Sequence, residues 1–341
     1  MSLCELCPRM CGADRAGGRL GFCRASAGPR LFRWGPHFGE EPPLVGENGS
    51  GCIFFSNCTM KCLYCQNSPW SWRGGGEDVT VGRLSGIMRE LAVKYRCSNW
   101  NLVSPTPYLP SIREAVKPLL DEGVRLPFVY NSSGYERVET LEEYADLCDI
   151  ALFDLRYSRN ETALAASSAP RYVEASRAAL KSLYSRLGPL AAAPENGARL
   201  PENGARLPSK NGDSPLNNGA RLLENGARLP LDGSIIAKKG VIVRILVLPG
   251  HAEEAVENLA WIADELSNEV HISVMSQYTP SYLAKETAPW NRGVTEEEYS
   301  LVTDAAEALG FENGWIQGFE SRNPEASLLG ENMPPGEGVV G

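Results

Sequence analysis

The sequence predicts an α/β protein with a parallel sheet, because short apolar runs alternate with amphipathic helical segments along most of the chain. Apolar residues at every third or fourth position mark the helices, and short apolar runs between turn formers mark the strands. The six predicted strands are 53–55, 100–103, 127–130, 150–153, 241–248 and 270–275. The predicted helices are 81–95, 112–120, 141–147, 172–187, 252–266 and 295–309. This order fits an open doubly wound sheet or an incomplete barrel, and both bind ligands at the carboxyl ends of their strands.

Two segments depart from this alternation. Residues 1–50 are rich in Gly, Pro and Cys and hold too few apolar residues for a core, so we expect a small metal-binding module there. Residues from about 190 to 234 carry repeats of Glu-Asn-Gly-Ala-Arg-Leu-Pro, with one large apolar residue in each copy. We expect this segment to be a flexible surface insertion in a main domain of residues 51–320, which a tail of residues 321–341 follows.

Composition excludes several classes of function. The chain holds 33 Lys and Arg against 42 Asp and Glu, and this acidic balance disfavours a nucleic-acid-binding module. It contains no run of about 18 apolar residues, so no membrane span is expected. Residues 1–10 contain two cysteines and no apolar core, so we expect no secretory signal. Clustered thiols need a reducing compartment, which predicts a cytoplasmic protein.

The main candidate site is the loop Cys58-Thr-Met-Lys-Cys62-Leu-Tyr-Cys65, directly after the first predicted strand. Outside the secretory pathway, cysteines at such spacings indicate metal ligands rather than disulfides. A structural four-iron cluster takes four cysteines, so three would leave one iron open to a small chelating molecule. A zinc site with a fourth ligand from elsewhere, such as Cys52, is the alternative that the spacing leaves open.

A second group of closely spaced cysteines lies in the first 23 residues. Its members are Cys4, Cys7, Cys11 and Cys23. Four ligands make a closed site, which predicts structural zinc or an auxiliary iron–sulfur cluster, with free thiols as the alternative. Cys97 and Cys148 stand alone and are expected to be small buried residues.

The CxxxCxxC loop, with the aromatic Tyr64 before its last cysteine, resembles the signature of radical S-adenosylmethionine enzymes. More closely, the chain is similar to uncharacterised proteins related to pyruvate formate-lyase activating enzyme. The matching stretches are 49–56, 65–67, 101–108, 129–135 and 276–280. The resemblance implies a partial (β/α)6 barrel with a [4Fe–4S] cluster on the three cysteines. It also implies that one electron cleaves S-adenosylmethionine to a 5′-deoxyadenosyl radical, which abstracts a hydrogen atom.

The same resemblance assigns binding roles to individual residues. It places Arg244 and Arg156 at the cofactor carboxylate and Asn131 near the adenosyl group. A surface ion pair with Asp154 is the alternative for Arg156, and a turn role is the alternative for Asn131. Relatives bind the cofactor amine with a Gly-Gly-Glu turn, where this chain has Ser-Pro-Thr106-Pro, so Thr106 or backbone carbonyls are expected to substitute.

Residues 75–77 also have the sequence Gly-Gly-Glu, but they lie before the first predicted helix, and we interpret them as an ordinary loop. The resemblance further implies flavodoxin or ferredoxin as the electron donor and a protein glycine as one class of target. The alternative function is an iron–sulfur electron-transfer protein without radical chemistry.

Overall fold

A computed structural model describes residues 3–194, 221–222, 235–319 and 336–337. The strands are β1 (Arg30–His37), β2 (Ser50–Phe55), β3 (Glu77–Asp78), β4 (Trp100–Val103), β5 (Phe128–Ser132), β6 (Ile150–Asp154), β7 (Ala191–Pro194), β8 (Arg221–Leu222), β9 (Ile235–Leu246), β10 (His271–Met275), β11 (Gly314–Ile316) and β12 (Gly336–Glu337). The α-helices are α1 (Pro42–Val45), α2 (Ser68–Ser71), α3 (Val81–Arg89), α4 (Leu109–Asp121), α5 (Val138–Glu143), α6 (Asn160–Ser167), α7 (Tyr172–Leu187), α8 (Ala252–Glu265) and α9 (Glu296–Ala308).

One sheet organises the molecule. Strands β2, β4, β5, β6, β9, β10 and β11 pair in parallel in that order, with helical crossovers between most neighbours. The predicted parallel α/β architecture is therefore confirmed. The sequence analysis missed the short strand β11, which adds a seventh member to this parallel run. The closed path of a barrel is not shown, so the partial (β/α)6 barrel stays a prediction.

Strand β1 was not predicted, because its sequence mixes Arg, Gly and Pro with apolar residues and shows no clean alternation. It pairs antiparallel with β2 over most of its length, with Leu31 opposite Phe55 and His37 opposite Ser50. Part of the first 50 residues thus belongs to the main sheet. The pairing explains why a segment with too few apolar residues for its own core is ordered: it shares the core of the sheet.

The chain after β1 forms a short helix that packs on the sheet. Helix α1 is short, begins with two prolines and is fully buried. Leu44 packs among Val129, Ile150, Ile242 and Trp315, which come from four different strands. Leu44 and residues from β5, β6, β9 and β11 thus form one buried cluster, which attaches α1 to the sheet.

Helix boundaries follow the local chemistry. The hydroxyl of Thr80 accepts a hydrogen bond from the amide of Arg83 and caps α3. Thr295 and Glu298 form a reciprocal capping box at the start of α9. Within the described ranges, no helix is long and apolar enough to cross a membrane.

The predicted insertion begins later than expected. Residues 191–194, which we assigned to it, form β7 and pair antiparallel with the first part of β9, so that Pro194 lies opposite Ile235. Strand β9 accordingly begins at Ile235 rather than at the predicted residue 241. Most of the repeats, and most of the predicted tail, lie outside the described residues.

Candidate active site

A cavity of about 240 Å³ opens at the carboxyl ends of the parallel strands, where the fold class predicts a ligand site. Its walls combine apolar side chains with amides, hydroxyls and charges. The lining residues that come from strands are Phe54, Val103, Asn131, Ser132, Asp154, Arg244, Leu246 and Met275. Loops add Glu40, Tyr64, Cys65, Gln66, Asn67, Ser104, Arg156, Gln277 and Tyr278.

The CxxxCxxC loop follows β2 directly and lies against α6. The amides of Lys61 and Leu63 donate to the carbonyls of Ser167 and Ala166, which fixes the loop at two points. Asn57, just before the first cysteine, adopts a left-handed conformation with φ of 69° and turns the chain out of the sheet. The loop geometry therefore depends on α6, an element about 100 residues away in sequence.

Each of the three sulfurs takes part in at least one hydrogen bond, and those of Cys58 and Cys62 act as acceptors. The Cys58 sulfur lies 3.4 Å from the Met60 amide, and the Cys65 sulfur lies 3.2 Å from the Ser71 hydroxyl. Cys62 receives two, from Arg156 Nη1 at 3.1 Å and from the Ser167 hydroxyl at 3.0 Å. Donors aimed at sulfur stabilise thiolate character.

The donor chemistry of the loop fits a thiolate-bound metal or cluster. Burial, together with the neighbouring thiols, raises the pKa of Cys58 to about 12 and that of Cys65 to about 11. Such thiols stay protonated at neutral pH unless a metal displaces the proton. Among the described residues, no three His, Cys, Asp or Glu side chains already converge as metal ligands.

Arg156 and Arg244 meet at one carboxylate. Asp154 Oδ2 lies 2.6 Å from Arg156 Nη2, and Asp154 Oδ1 lies 2.9 Å from Arg244 Nε. The expected ion pair of Arg156 with Asp154 thus exists, but in the cavity wall, where both side chains are mostly buried. The contact between Asp154 and Arg244 follows from strand register, because the two residues are direct partners in β6 and β9.

Two further carboxylates reach this network from the segment after β1. Glu40 Oε2 lies 3.6 Å from Arg244 Nη1, and Glu41 Oε1 lies 3.9 Å from Arg244 Nε. Burial raises the pKa of Glu41 to about 7. The sequence analysis missed both residues. The only local signal was a pair of acidic residues next to two prolines and two apolar residues in a poorly patterned segment.

Asn131 lies inside the same network rather than in a solvent-exposed turn. Its side-chain oxygen accepts a hydrogen bond from Arg244, and its amide nitrogen is 3.2 Å from Asn101 Oδ1 and 3.4 Å from Glu40 Oε1. Asn131 therefore holds the Arg244 guanidinium at the cavity wall. The structure brings together the predicted residues Cys65, Tyr64, Asn131, Arg156 and Arg244.

Tyr64 is buried and stacks on Trp290, with ring centroids 5.3 Å apart. Its hydroxyl is hydrogen-bonded to Tyr157, whose hydroxyl in turn contacts Ser167 at 2.5 Å. Since Ser167 donates to Cys62, Tyr64 belongs to a buried hydroxyl chain that ends at a cysteine sulfur.

Thr106 does not line this cavity. Its hydroxyl lies 2.9 Å from the buried carboxylate of Glu136, which also accepts from Tyr130 and Ser132. Ser104, two residues earlier, has φ of 58° and does line the cavity. Of the two residues in the Ser-Pro-Thr-Pro segment, Ser104 lines the cavity and Thr106 does not, and the amine contact stays a prediction.

The four amino-terminal cysteines surround a second, smaller cavity together with Arg9, Arg15 and Thr59. An isolated bridge between Cys4 and Ala13 brings the first cysteine back beside the third. The Cys11 sulfur lies so close to Gly21 that a Cβ there would be 2.5 Å away. Their sulfurs are neighbours without forming a ready metal site in the described part of the chain.

No family model matches the chain. The uncharacterized protein MJ0674 of Methanocaldococcus jannaschii is 27% identical over 314 residues, which cover 89% of this chain and 74% of that protein. A solved structure of native anSMEcpe with bound AdoMet aligns at a TM-score of 0.41 and 8% identity, over 80% of this chain and 60% of that one. At this TM-score the likeness supports no conclusion about activity.

Proposed function

We propose that the chain is a radical S-adenosylmethionine enzyme, with a [4Fe–4S] cluster on Cys58, Cys62 and Cys65. One observation carries the proposal: a loop with three cysteines follows the first parallel strand and opens, through Cys65, into a cavity that two mostly buried arginines also line. When bound, the cluster supplies the electron that cleaves S-adenosylmethionine to methionine and a 5′-deoxyadenosyl radical, which abstracts a hydrogen atom from the substrate.

The charges of the cavity suit an amino-acid head group. Arg156 and Arg244 provide cations for a carboxylate, and Asp154 and Glu40 provide anions for an ammonium group. All four lie within one network of ion pairs and hydrogen bonds, so a zwitterion can exchange partners with it without leaving a buried charge unpaired. Of the two arginines, Arg244 is held by Asn131 and the acidic residues, whereas Arg156 also donates to the Cys62 sulfur.

The apolar part of the wall has a separate role. Phe54, Val103, Leu246 and Met275 contribute side chains without exchangeable donors to the cavity. Such a lining limits the access of water to reactive species and strengthens the electrostatic contacts inside. The other polar side chains of the lining are available to orient the substrate: Gln66, Asn67, Ser104, Gln277 and Thr279.

We extend the proposal to the partners and the setting. The substrate class that the family resemblance favours is a protein glycine, which makes the chain an activating enzyme for a second protein. The electron donor is flavodoxin or ferredoxin, and the reducing cytoplasm is the compartment. Cys4, Cys7, Cys11 and Cys23 hold a second metal, zinc or an iron–sulfur cluster, since they surround one cavity.

Anaerobic reconstitution with iron and sulfide tests the proposal. We expect the reduced protein to give a four-iron EPR signal that S-adenosylmethionine changes, and dithionite to drive formation of 5′-deoxyadenosine. Cys62→Ala should lose both, whereas Cys148→Ala, a matched buried cysteine outside the loop, should keep both. A reduced, fully loaded cluster that yields no 5′-deoxyadenosine would favour the electron-transfer alternative and reject the radical function.

A further inference from the structure

The outer side of the CxxxCxxC loop carries a patch of aromatic and cationic side chains, which we call the loop-face patch. It consists of Phe22, Arg24, Lys61, Trp72, Arg73, Tyr282 and Leu283. These residues come from the amino-terminal segment, the loop itself, the end of α2 and the turn after β10. Four separate parts of the chain therefore build one continuous surface.

Direct contacts join the patch. Lys61 Nζ lies 4.5 Å from the Phe22 ring centroid and 4.9 Å from that of Trp72. Trp72 packs on Tyr282 with ring centroids 5.3 Å apart, and the Arg73 guanidinium lies 5.7 Å from the Tyr282 ring. Arg24 and Arg9 lie close enough to Lys61 to interact with it electrostatically.

The cations of the patch lack acidic partners. Arg24, Lys61 and Arg73 make no ion pair within the described ranges, whereas surface arginines such as Arg83 and Arg292 pair with Glu90 and Glu298. Arg24 and Arg73 are exposed, and Leu283 beside them keeps 50% of its surface open to solvent. Unpaired cations around exposed apolar surface are typical of a site that binds an acidic partner.

The net negative charge of the chain favours binding of an acidic partner at the loop-face patch over the rest of the surface. The chain carries a formal net charge of −9, so an acidic protein is repelled by most of its surface. The loop-face patch is cationic and lies directly on the cysteine loop, since Lys61 stands between Cys58 and Cys62 in sequence. A partner bound there would approach the three sulfurs from outside, without entering the cavity at the strand ends.

We propose that the loop-face patch is the docking surface for a small acidic electron-carrier protein of the ferredoxin type. This inference rests on the proposed function, because it assigns the entry route of the electron to the cluster. In the transfer, the reduced [2Fe–2S] centre of the carrier is oxidised by one electron and the cluster of this chain is reduced by one electron. No bond is formed or broken, and no proton moves.

The test compares two charge-reversed double variants of the full-length, reconstituted protein. Arg24→Glu with Arg73→Glu alters the exposed part of the patch and leaves the cysteine loop unchanged. Lys117→Glu with Lys238→Glu makes the same change of charge at exposed residues outside the patch and serves as the matched control. The bleaching of cluster absorbance after mixing with a reduced acidic ferredoxin measures electron entry, and dithionite replaces ferredoxin in a parallel experiment.

We expect the patch variant to slow ferredoxin-driven bleaching by about tenfold or more at low salt, and the control variant to change it little. Added salt should slow the wild type and narrow the difference. Bleaching by dithionite should be equal in all three proteins. Equal ferredoxin rates in the patch variant and the control would overturn the proposal.

Two further outcomes are informative. If dithionite bleaches the cluster but yields no 5′-deoxyadenosine, the proposed radical function fails while the ferredoxin comparison still tests the docking surface. If the patch variant keeps its ferredoxin rate but loses affinity for a mixed-sequence single-stranded RNA that the wild type binds, the patch is a nucleic-acid surface and the proposal is wrong.

Discussion

Replacement of Asp154 by asparagine should destabilise the protein, because this carboxylate neutralises two mostly buried arginines at once. Its oxygens lie 2.6 Å from Arg156 and 2.9 Å from Arg244, and each of these three side chains is less than one-fifth exposed. Removal of one partner of a buried ion pair costs about 3–5 kcal/mol, since the other charge is left without compensation. In the variant, Glu40 still lies 3.6 Å from Arg244 and partly compensates its charge. We therefore expect the free energy of unfolding to fall by about 3 kcal/mol, and not by the sum of two broken buried ion pairs.

Urea unfolding followed by circular dichroism at pH 7 measures this effect. Asp146→Asn is the matched control, because Asp146 pairs with Arg113 at the surface, where both side chains are at least one-third exposed. An exposed pair contributes at most about 1 kcal/mol, so the control should lose little. If Asp154→Asn loses no more stability than Asp146→Asn, the two arginines do not depend on the shared carboxylate and our reading of the cavity wall is incorrect.

Three other changes test separate parts of the structure. Replacing residues 195–234 by Asn-Gly should lower the midpoint of thermal unfolding only slightly. Pro194 and Ile235 are already paired, so a two-residue turn can join them, and among the described residues the deletion removes only β8, which pairs with β11 over two residues. A large drop would show that the deleted segment supports the sheet beyond this short pairing. Burial lowers the pKa of His271 to about 4, so protonation of this residue favours the unfolded chain. The free energy of unfolding should therefore fall by about 3 kcal/mol as the pH drops from about 6.5 to 4. In His271→Gln this pH dependence should vanish, and an unchanged pH dependence would contradict the lowered pKa. Cys7→Ala should lower the metal content of the purified protein while the loop cluster still forms, and a wild type that holds only one four-iron cluster and no zinc would exclude the second site.

The loss expected for Asp154→Asn also bears on the cofactor. Arg244 is oriented by Asn131 and Asp154 together, so a variant that loses the carboxylate should hold the guanidinium less firmly. The reconstituted variant should therefore bind S-adenosylmethionine more weakly even where it remains folded. Equilibrium binding to the wild type and the variant at equal cluster content separates this effect from loss of the cluster.

Local sequence patterns determined several features that the structure contains. Apolar runs and helical stripes are enough to predict the parallel α/β order, because strand and helix periodicities depend on neighbouring residues only. The cysteine spacings likewise mark two candidate sites, since ligands from one loop lie close together in any fold. Even so, β1 escaped prediction, because Arg33, Gly35 and Pro36 interrupt its apolar pattern and its pairing with β2 is a tertiary event.

Only the tertiary structure decided which distant groups share the site. The register of β6 and β9 places Arg244 beside Asp154, across about 90 residues of chain, and the segment after β1 carries Glu40 to the same arginine. No local sequence pattern predicts these contacts, because they depend on the order of the strands and on the register between them. Spacing along the chain thus identified the cysteine ligands. The charged side chains around the cysteines come together through packing between elements remote in sequence. The same packing places Thr106 against Glu136 and away from the cavity.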